Sequence, residues 1–421
     1  MSAKRLRPRE SVLQMAPYSP PTAGRSDKLR LDFNENTLGC SPKVIEFLKE
    51  RLDSNRLATY PEYVEAKAEL AGHFQVPENQ MLFTNGTDEA IQVLINTYVD
   101  DDDDVIILRP SYAMYRFYAE VAGASIREID YRPETLEFPL EELLEALDPT
   151  TRAVLISNPN NPTGAAVNLD GIEMILRRAP GAAVLIDEAY YEFCGISGMR
   201  MIEQYPNLFV SRTFSKVYGM AGMRIGCIFS QANNCAYLHK AQSPYSVNWL
   251  ATLAARAAVQ DSGYITRYVT EVLAARELLY VGLEKLKIPY WESNGNFVLM
   301  RLGDRSKEVR DALLAEGILV RDRGRIFPLS VNEIAYMMAD AKYTAIAARG
   351  QTFLVRIGIS ELEAQLDPTR FIRVHRSALV NLDFVDSMRA DDQSLLVIQM
   401  RDGAVLTASR EASKVLRDMA I

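Results

Sequence analysis

The chain has 421 residues, of which 48% are apolar and 24% are charged, and its formal net charge is −8. These averages exclude a disordered, collagen-like or disulfide-scaffold protein, and the length suggests about two to three domains. The negative net charge argues against a chain that binds nucleic acid through its overall electrostatics.

No targeting or metal-binding pattern stands out. The basic residues 1–10 are not followed by an apolar run, and no stretch reaches the roughly 18 apolar residues of a membrane helix. The four cysteines are far apart without a CxxC pair, so we expect neither structural disulfides nor a metal site. These features predict a cytoplasmic protein with no membrane partner.

The charge is unevenly distributed along the chain. Residues 324–421 contain 12 Lys and Arg against 12 Asp and Glu, so the whole net charge of −8 lies in residues 1–323. This change of composition predicts a domain boundary near residue 324.

Short apolar runs alternate with longer helical patterns in the first half of the chain. The strand-like runs are 105–108, 153–156, 183–186 and 208–210, and the helical patterns between them are 88–98, 113–121 and 169–177. Runs that are apolar throughout are typical of parallel strands buried on both faces. The order predicts an α/β fold with a doubly wound, mainly parallel sheet, in a large domain of about residues 60–260. Ligands of such sheets bind at the carboxyl ends of the strands.

The remaining segments predict two further structural regions. Residues 261–287 read as one long helix, 296–301 as a strand and 306–316 as a helix, which predict a small α+β lobe formed by residues 15–59 and 261–323. From residue 324 onward, turn residues separate short strand-like runs, and Asp402-Gly403 is a strong hairpin signal. A β-rich domain is therefore expected over residues 324–421. Its predicted strands are 326–329, 334–338, 344–347, 353–356, 371–374, 384–388, 395–400 and 405–407.

Three candidate site motifs follow strands in the α/β region. Residues 84–89 (TNGTDE) open a helix, whose N–H groups and dipole suit a phosphate, although the same residues also suit an ordinary helix cap. Tyr112 could stack on a flat ring or pack in the core. Asn161 lies in a loop with two Asn-Pro steps, which favour an extended backbone, and its amide could bind a phenolate oxygen.

Two further motifs carry ionisable groups. Asp187 ends an apolar strand, where a carboxylate is costly unless it meets a cation such as a protonated pyridine nitrogen, and Tyr190 could reach the oxygen of the same ring. Lys216 is the kind of residue that forms Schiff bases when partly desolvated. The hydroxyls that precede it and Arg224, eight residues later, suit a phosphate. Alone, a Ser-Lys pair is usually a surface feature.

In this order, and each after a strand, these motifs resemble the fold-type I pyridoxal-phosphate aminotransferases, and most closely the histidinol-phosphate aminotransferases. Residues 31–36 (LDFNEN) and 58–62 (ATYPE) also match the opening motifs of that family. The resemblance covers about residues 15–323.

The resemblance implies pyridoxal 5'-phosphate as cofactor, an amino donor and a 2-oxo acid as substrates, and a role for each matching residue. Lys216 would form the Schiff base and move the proton, and Asp187 would keep the pyridinium charged, so that the ring accepts electrons. Asn161 and Tyr190 would bind the ring oxygen, and Tyr112 would stack on the ring. The implied contacts to the cofactor phosphate are made by Gly86, Thr87, Asp88, Thr213, Ser215 and Arg224. Tyr60 would reach the same phosphate from the neighbouring subunit of a homodimer. The implied contacts to substrate are made by Tyr18, Asn36 and Arg321.

The chain departs from this family after Val320-Arg321-Asp322. Family members continue into a strand with a second substrate-carboxylate arginine and a closing helix, whereas residues 371–381 (FIRVHRSALVN) resemble the signature of LytTR-type DNA-binding domains. Residues 360–363, 402–403 and 408–410 match that signature too. Arg356 could stand in for the second arginine, but its surroundings fit the LytTR pattern better.

By this second resemblance, Arg376 and Arg410 match positions that contact bases or backbone, and arginine suits guanine edges. His375 and Asn381 look structural. The alternative is a β module that has lost DNA binding, because the net charge of residues 324–421 is about zero and most DNA readers carry excess positive charge.

Three functions of different classes are compatible with these motifs. The first is a transaminase that acts on histidinol phosphate or a related amino acid or amine with 2-oxoglutarate as acceptor. The second is a transcription regulator that uses the aminotransferase fold to sense the cofactor or an amine, while the C-terminal domain binds DNA. The third is a lyase or decarboxylase on the same fold.

Overall fold

The computed structural model describes residues 6–15, 25, 28–316, 318–319, 334–340, 343–348, 351–355, 358–363, 366–391 and 394–419. Two compact units are present, an N-terminal unit of Met1–Arg323 and a C-terminal unit of Gly324–Ile421. Tyr18 and Arg321, two of the predicted substrate residues, lie outside the described residues, and so do Arg356 and the strand predicted at 326–329.

The N-terminal unit alternates helices and strands along the chain. Its described helices are α1 Glu10–Gln14, α2 Pro42–Arg51, α3 Ser54–Ala58, α4 Val64–Phe74, α5 Gly86–Tyr98, α6 Ala113–Ala122, α7 Leu140–Ala146, α8 Leu169–Arg178, α9 Tyr191–Cys194, α10 Ala232–Ala241, α11 Trp249–Val259, α12 Ser262–Lys285 and α13 Ser306–Ala315. Its described strands are β1 Leu29–Arg30, β2 Met81–Thr84, β3 Asp104–Arg109, β4 Ser125–Asp130, β5 Thr151–Ser157, β6 Ala183–Asp187, β7 Leu208–Thr213, β8 Gly226–Phe229, β9 Tyr290–Trp291, β10 Leu299–Met300 and β11 Ile318–Leu319.

Seven of these strands form the central sheet in the order β2-β8-β7-β6-β5-β3-β4. The pairs β4-β3, β3-β5, β5-β6 and β6-β7 are parallel, and β8 is antiparallel to both of its neighbours. The prediction of a mainly parallel α/β sheet is confirmed. The carboxyl ends of the parallel strands therefore meet at one edge, where the predicted site residues follow them.

Burial on both faces explains why the central strands are apolar throughout. Every residue of β6 and β7 is buried, and separate clusters of apolar side chains cover the two faces of the sheet. Asn168 and Asn248 start two of the covering helices, because their side chains accept hydrogen bonds from the backbone N–H groups of Gly171 and Ala251.

Smaller pairings lie outside this sheet. Strand β1 pairs with β11 in parallel, and β9 pairs with β10 antiparallel. The strand predicted at 296–301 is only the two residues of β10, whereas the long helix predicted at 261–287 is present as α12. The division of this unit into a large domain and a small lobe at the predicted bounds stays a prediction.

The C-terminal unit is antiparallel β with two helices among its described residues. Its elements are β12 Ile334–Asp340, β13 Tyr343–Ala348, β14 Gln351–Val355, α14 Ile359–Glu363, β15 Phe371–His375, β16 Ala378–Asn381, β17 Val385–Ala390, β18 Leu396–Met400, β19 Val405–Thr407 and α15 Arg410–Met419. One sheet has the order β14-β13-β12-β16-β15, and the other has the order β17-β18-β19. The prediction of a β-rich domain is confirmed, and Asp402-Gly403 forms the turn between β18 and β19.

Strand β16 is absent from the predicted elements. Only Arg376 and Ser377 separate it from β15, so the two strands read as one continuous motif in the sequence. Within the part of the chain that the structure describes, no helix combines the length and apolar character needed to cross a membrane.

Candidate functional site

Asp187 lies at the carboxyl end of β6, and its carboxylate is buried and anchored at both oxygens. Its side chain accepts hydrogen bonds from Tyr115 Oη at 3.0 Å and from Ser211 Oγ at 2.9 Å. Burial raises the pKa of Asp187 to about 6, although both hydrogen bonds act in the opposite direction. A buried carboxylate of this kind is stabilised by a cation, because the cation compensates for the lost hydration.

Neither Tyr115 nor Ser211 was among the predicted site residues. Ser211 could have been found from strand register, because it lies directly opposite Asp187 on the neighbouring strand β7. Tyr115 reaches the carboxylate from α6, one turn after Tyr112, and the sequence carries no comparable signal for that contact.

Lys216 follows β7, and its amine lies against the segment that precedes α2. Lys216 Nζ donates a hydrogen bond to the backbone oxygen of Phe33 at 2.7 Å and lies 5.5 Å from the centre of the Tyr190 ring. The Tyr190 oxygen accepts a hydrogen bond from Asn34 Nδ2 at 3.0 Å, and the Tyr190 ring packs edge-on against Phe297. The predicted lysine and tyrosine are thus neighbours in the fold.

The start of α5 forms a cradle beneath Arg224. Gly86 has φ +72°, and a Cβ atom there would lie 2.5 Å from Arg224 Nη2, so a side chain at this position would collide with the guanidinium. Arg224 pairs with Asp88 at 3.2 Å, and Tyr112 Oη donates to the same carboxylate at 2.7 Å. The N-terminal N–H groups of α5, including that of Thr87, and the guanidinium together suit an anion.

Thr213 and Ser215 are buried where β7 ends. The backbone N–H of Ser215 donates to Thr213 Oγ1 at 3.1 Å, so one of the two predicted phosphate hydroxyls also shapes the turn that leads to Lys216.

The loop after β5 contains three asparagines in different environments. Asn158 exchanges two hydrogen bonds with the backbone of Val167, and Asn160 binds Pro110 and Ser111. These two side chains therefore hold the loop. Asn161, the predicted cofactor ligand, is buried at 9% exposure at the same end of the sheet.

Asn36 is occupied by the backbone around it. Its amide donates to the oxygen of Val217 at 3.0 Å and accepts from the N–H groups of Leu38 and Gly39. Such contacts hold residues 36–39 against the segment that follows Lys216. A substrate contact by Asn36 stays a prediction.

Tyr60 lies on the surface of the protomer. Its ring is 73% exposed and stacks on Tyr245 with 4.5 Å between the ring centres. This exposure leaves the ring accessible to another molecule, and its predicted contact with a neighbouring subunit stays a prediction.

A buried ion pair lies behind the strand ends that carry the site. Arg212 Nε donates to Glu188 Oε2 at 2.7 Å, and the guanidinium also binds Ser197 and lies 3.4 Å from the centre of the Tyr191 ring. Because Arg212 and Glu188 are direct neighbours of Thr213 and Asp187, the pair links the two site-bearing strands from within the core.

In the C-terminal unit, the two predicted DNA-binding arginines are exposed. The backbone N–H of Ser409 donates to the oxygen of Val374 at 2.7 Å, which brings the start of α15 next to the end of β15. Arg410 and Arg376 therefore lie at the same end of the unit.

Arg373 shapes the turn that carries Arg376. Its guanidinium donates to the backbone oxygens of His375 and Arg376 and pairs with Glu363 at 2.6 Å. Asn381 is fully buried, binds Ile334 and caps the following turn, in agreement with its predicted structural role.

Comparison with solved structures defines the class of fold. The histidinol-phosphate aminotransferase of Sinorhizobium meliloti, solved in complex with pyridoxal-5'-phosphate, has a TM-score of 0.70 at 23% identity, over 78% of this chain and 92% of that one. The enzyme of the same name from Clostridium acetobutylicum has a TM-score of 0.64 at 27% identity, over 70% of this chain and 89% of that one. The N-terminal unit has the fold-type I aminotransferase architecture.

Sequence comparison then gives the family. The model of aminotransferase class I and II matches residues 26–339, and the model of the LytTr DNA-binding domain matches residues 324–420. The histidinol-phosphate aminotransferase of a Geobacillus species is 35% identical over 75% of this chain and 90% of its own length, and that of Bacillus subtilis is 32% identical over 77% and 94%. The chain belongs to the class I and II aminotransferases, is similar to histidinol-phosphate aminotransferases, and continues into a LytTR DNA-binding domain.

Proposed function

We propose that the N-terminal unit is a pyridoxal-phosphate-dependent transaminase. Its amino donor would be histidinol phosphate or a related amino acid or amine, with 2-oxoglutarate as acceptor and a role in histidine or amino-acid biosynthesis. The observation that carries this proposal is the buried Asp187 carboxylate at the strand edge where Lys216 and Tyr190 also meet.

The residues present fit pyridoxal phosphate at two distinct points. The carboxylate of Asp187 suits a pyridinium nitrogen, and the Gly86 cradle, which a Cβ atom would fill, suits a phosphate beneath Arg224. Tyr112, Asn161, Tyr190, Thr213 and Ser215 would complete the contacts to the ring and the phosphate.

The bound cofactor supplies an electron-accepting ring, which stabilises negative charge at the substrate carbon. Lys216 would hold and move the substrate proton at its Nζ amine, which lies at the same strand edge as Asp187 and Tyr190. The phenol of Tyr190 would bind the ring oxygen.

We propose a homodimer with Tyr60 contributing to the neighbouring subunit's phosphate site, and substrate contacts by Tyr18, Asn36 and Arg321. The exposed ring of Tyr60 supports the first point. We also propose that the boundary between the two domains lies at residues 323–324 and that the protein acts in the cytoplasm.

The C-terminal domain is proposed to bind DNA through Arg376 and Arg410. Their exposure at one end of the unit supports this role, since arginine side chains there can reach base edges or phosphates. The alternative function is a transcription regulator in which the aminotransferase fold serves as a sensor, and it is favoured by the LytTR match at residues 324–420 of the same chain.

Two assays test these proposals. The purified chain, mixed with pyridoxal phosphate, should gain an absorbance band that Lys216→Ala abolishes, and histidinol phosphate or a related amine should convert that band in a single half-reaction. A band that no amino donor converts would exclude the enzyme. Retention of promoter fragments at low salt, lost in Arg376→Ala, tests DNA binding, and no retention by the wild-type chain would exclude it.

A further inference from the structure

The oxygen of Tyr190 accepts a hydrogen bond from the side chain of Asn34. Asn34 Nδ2 lies 3.0 Å from the Tyr190 oxygen, and the tyrosine itself is only 3% exposed. A phenol carries one proton and accepts with its lone pairs. When the amide fills an acceptor position of the oxygen, the proton of Tyr190 remains available to a different partner.

The segment that carries Asn34 is held firmly on both sides. Asn34 has φ +55°, a left-handed conformation that asparagine tolerates better than most residues, and its backbone oxygen accepts from Asn296 Nδ2 at 3.1 Å. Arg25 binds Asp32 at 2.7 Å and Glu35 at 3.1 Å, one on each side of this position. The amide is therefore placed on Tyr190 by its own backbone as well as by its neighbours.

The same segment also contacts the amine of Lys216. The oxygen that accepts from Lys216 Nζ belongs to Phe33, the residue immediately before Asn34. The adjacent residues Phe33 and Asn34 thus contact the Lys216 amine, which we propose moves the proton, and the Tyr190 hydroxyl, which we propose binds the ring oxygen.

We propose that Asn34 is a positioning residue, which orients the Tyr190 hydroxyl so that it donates its proton to the ring oxygen of the bound cofactor. This inference rests on the proposed function of the N-terminal unit. The amide of Asn34 acts only through Tyr190 and need not touch the cofactor.

The test is a pH titration of the absorbance of the cofactor-loaded, full-length protein in four forms. These are the wild type, Asn34→Gly, Tyr190→Phe and the double variant. Glycine at position 34 keeps the left-handed backbone without strain and deletes the amide. Gln75→Gly is the matched control, since Gln75 has φ +56° and is exposed at the end of α4, away from these contacts.

A hydrogen bond donated to the ring oxygen favours the deprotonated, more negative form of the bound cofactor. Loss of that hydrogen bond therefore raises the pH at the midpoint of the absorbance titration. One hydrogen bond corresponds to a shift of about 0.5–1 pH unit. We expect Asn34→Gly to raise the midpoint by about that amount, Tyr190→Phe to raise it at least as much, and the double variant to match Tyr190→Phe alone. Gln75→Gly should leave the midpoint unchanged.

Each failure has its own signature. If Asn34→Gly leaves the midpoint unchanged, or shifts it equally with and without the Tyr190 hydroxyl, Asn34 does not act through Tyr190 and the inference is overturned. If the wild-type chain forms no cofactor band that depends on Lys216, the proposed function itself fails, and the inference fails with it.

Discussion

Replacement of Asp187 by asparagine should stabilise the cofactor-free protein and weaken cofactor binding. The folded-state pKa of Asp187 is about 6 against an ordinary value of 3.8, so between these pH values the folded chain binds more protons than the unfolded chain. The free energy of unfolding therefore falls as the pH rises through this window. Above pH 6 the buried charge costs about 3 kcal/mol, since one pKa unit corresponds to about 1.4 kcal/mol.

Asparagine avoids that cost and resembles the protonated carboxyl group, because its NH₂ group can donate to one of the hydroxyl oxygens of Tyr115 and Ser211 while its Oδ1 accepts from the other. The gain at pH 7.5 is therefore up to about 3 kcal/mol, which corresponds to a rise of a few degrees in the thermal midpoint. It shrinks as the pH falls toward 3.8, because the carboxyl group of Asp187 then becomes neutral in the unfolded chain as well.

The assay is thermal unfolding of the cofactor-free wild type and of Asp187→Asn at several values between pH 4 and pH 8. Asp170→Asn, which removes an exposed carboxylate in the first turn of α8, is the control and should show no such pH-dependent gain. With pyridoxal phosphate added, the order should reverse, since the variant lacks the charge-assisted contact and binds the cofactor about 10- to 100-fold more weakly. A variant that is less stable than the wild type at pH 7.5, or a difference that does not change with pH, would refute the reasoning.

Three further substitutions test other parts of the molecule. Gly86→Ala should weaken cofactor binding about tenfold or more in a spectroscopic titration, because the left-handed backbone disfavours alanine and the new Cβ displaces the Arg224 guanidinium from the proposed phosphate site. Unchanged affinity would contradict the phosphate cradle. Glu188→Gln should lower stability by up to about 3–5 kcal/mol, measured by thermal unfolding, because the buried Arg212 charge then keeps only the more distant carboxylate of Glu192, at 4.0 Å. Arg373→Lys should reduce DNA affinity about tenfold in gel-shift titrations at fixed salt, since a lysine cannot hold both turn carbonyls and Glu363 at once, and full binding would show that the turn needs no such anchor.

Local sequence pattern was sufficient for the longer buried strands of the parallel sheet, but not for the four-residue strands β8 and β16, which are also fully buried. Strands β5 and β6 read directly as apolar runs because both faces of the sheet are covered. Edge strand β4, Ser125–Asp130, is only partly buried and has neither an apolar run nor a regular alternation, since Arg127 and Glu128 separate its two isoleucines, so it was not among the predicted strands.

The candidate site shows the same limit at the level of side chains. Asp187 and Lys216 could be singled out because each lies at or just after the end of a buried strand, where an ionisable side chain is costly unless it is paired. Their partners could not be predicted in this way. Tyr115 is 72 residues from Asp187 in sequence, and Asn34 is 156 residues from Tyr190, so only the fold brings these pairs together.

The enzyme and the sensor make opposite predictions about how the two domains influence each other. If the N-terminal unit is a sensor, pyridoxal phosphate or an amine ligand must change the affinity for DNA. Thermodynamic linkage then requires DNA to change the affinity for that ligand by the same factor. A transaminase with an independent DNA-binding domain shows neither effect.

Both affinities can be measured on the full-length chain. A DNA titration with and without pyridoxal phosphate, and a cofactor titration with and without the DNA fragment, should give ratios close to one for the proposed transaminase. If cofactor changes the DNA affinity and DNA changes the cofactor affinity by the same factor of about five or more, the regulator is supported instead, since typical allosteric couplings are 5- to 150-fold. Unequal ratios are forbidden by linkage for binding at equilibrium. Arg376→Ala supplies the control, because a change in cofactor affinity that persists without DNA binding cannot be transmitted from the DNA site.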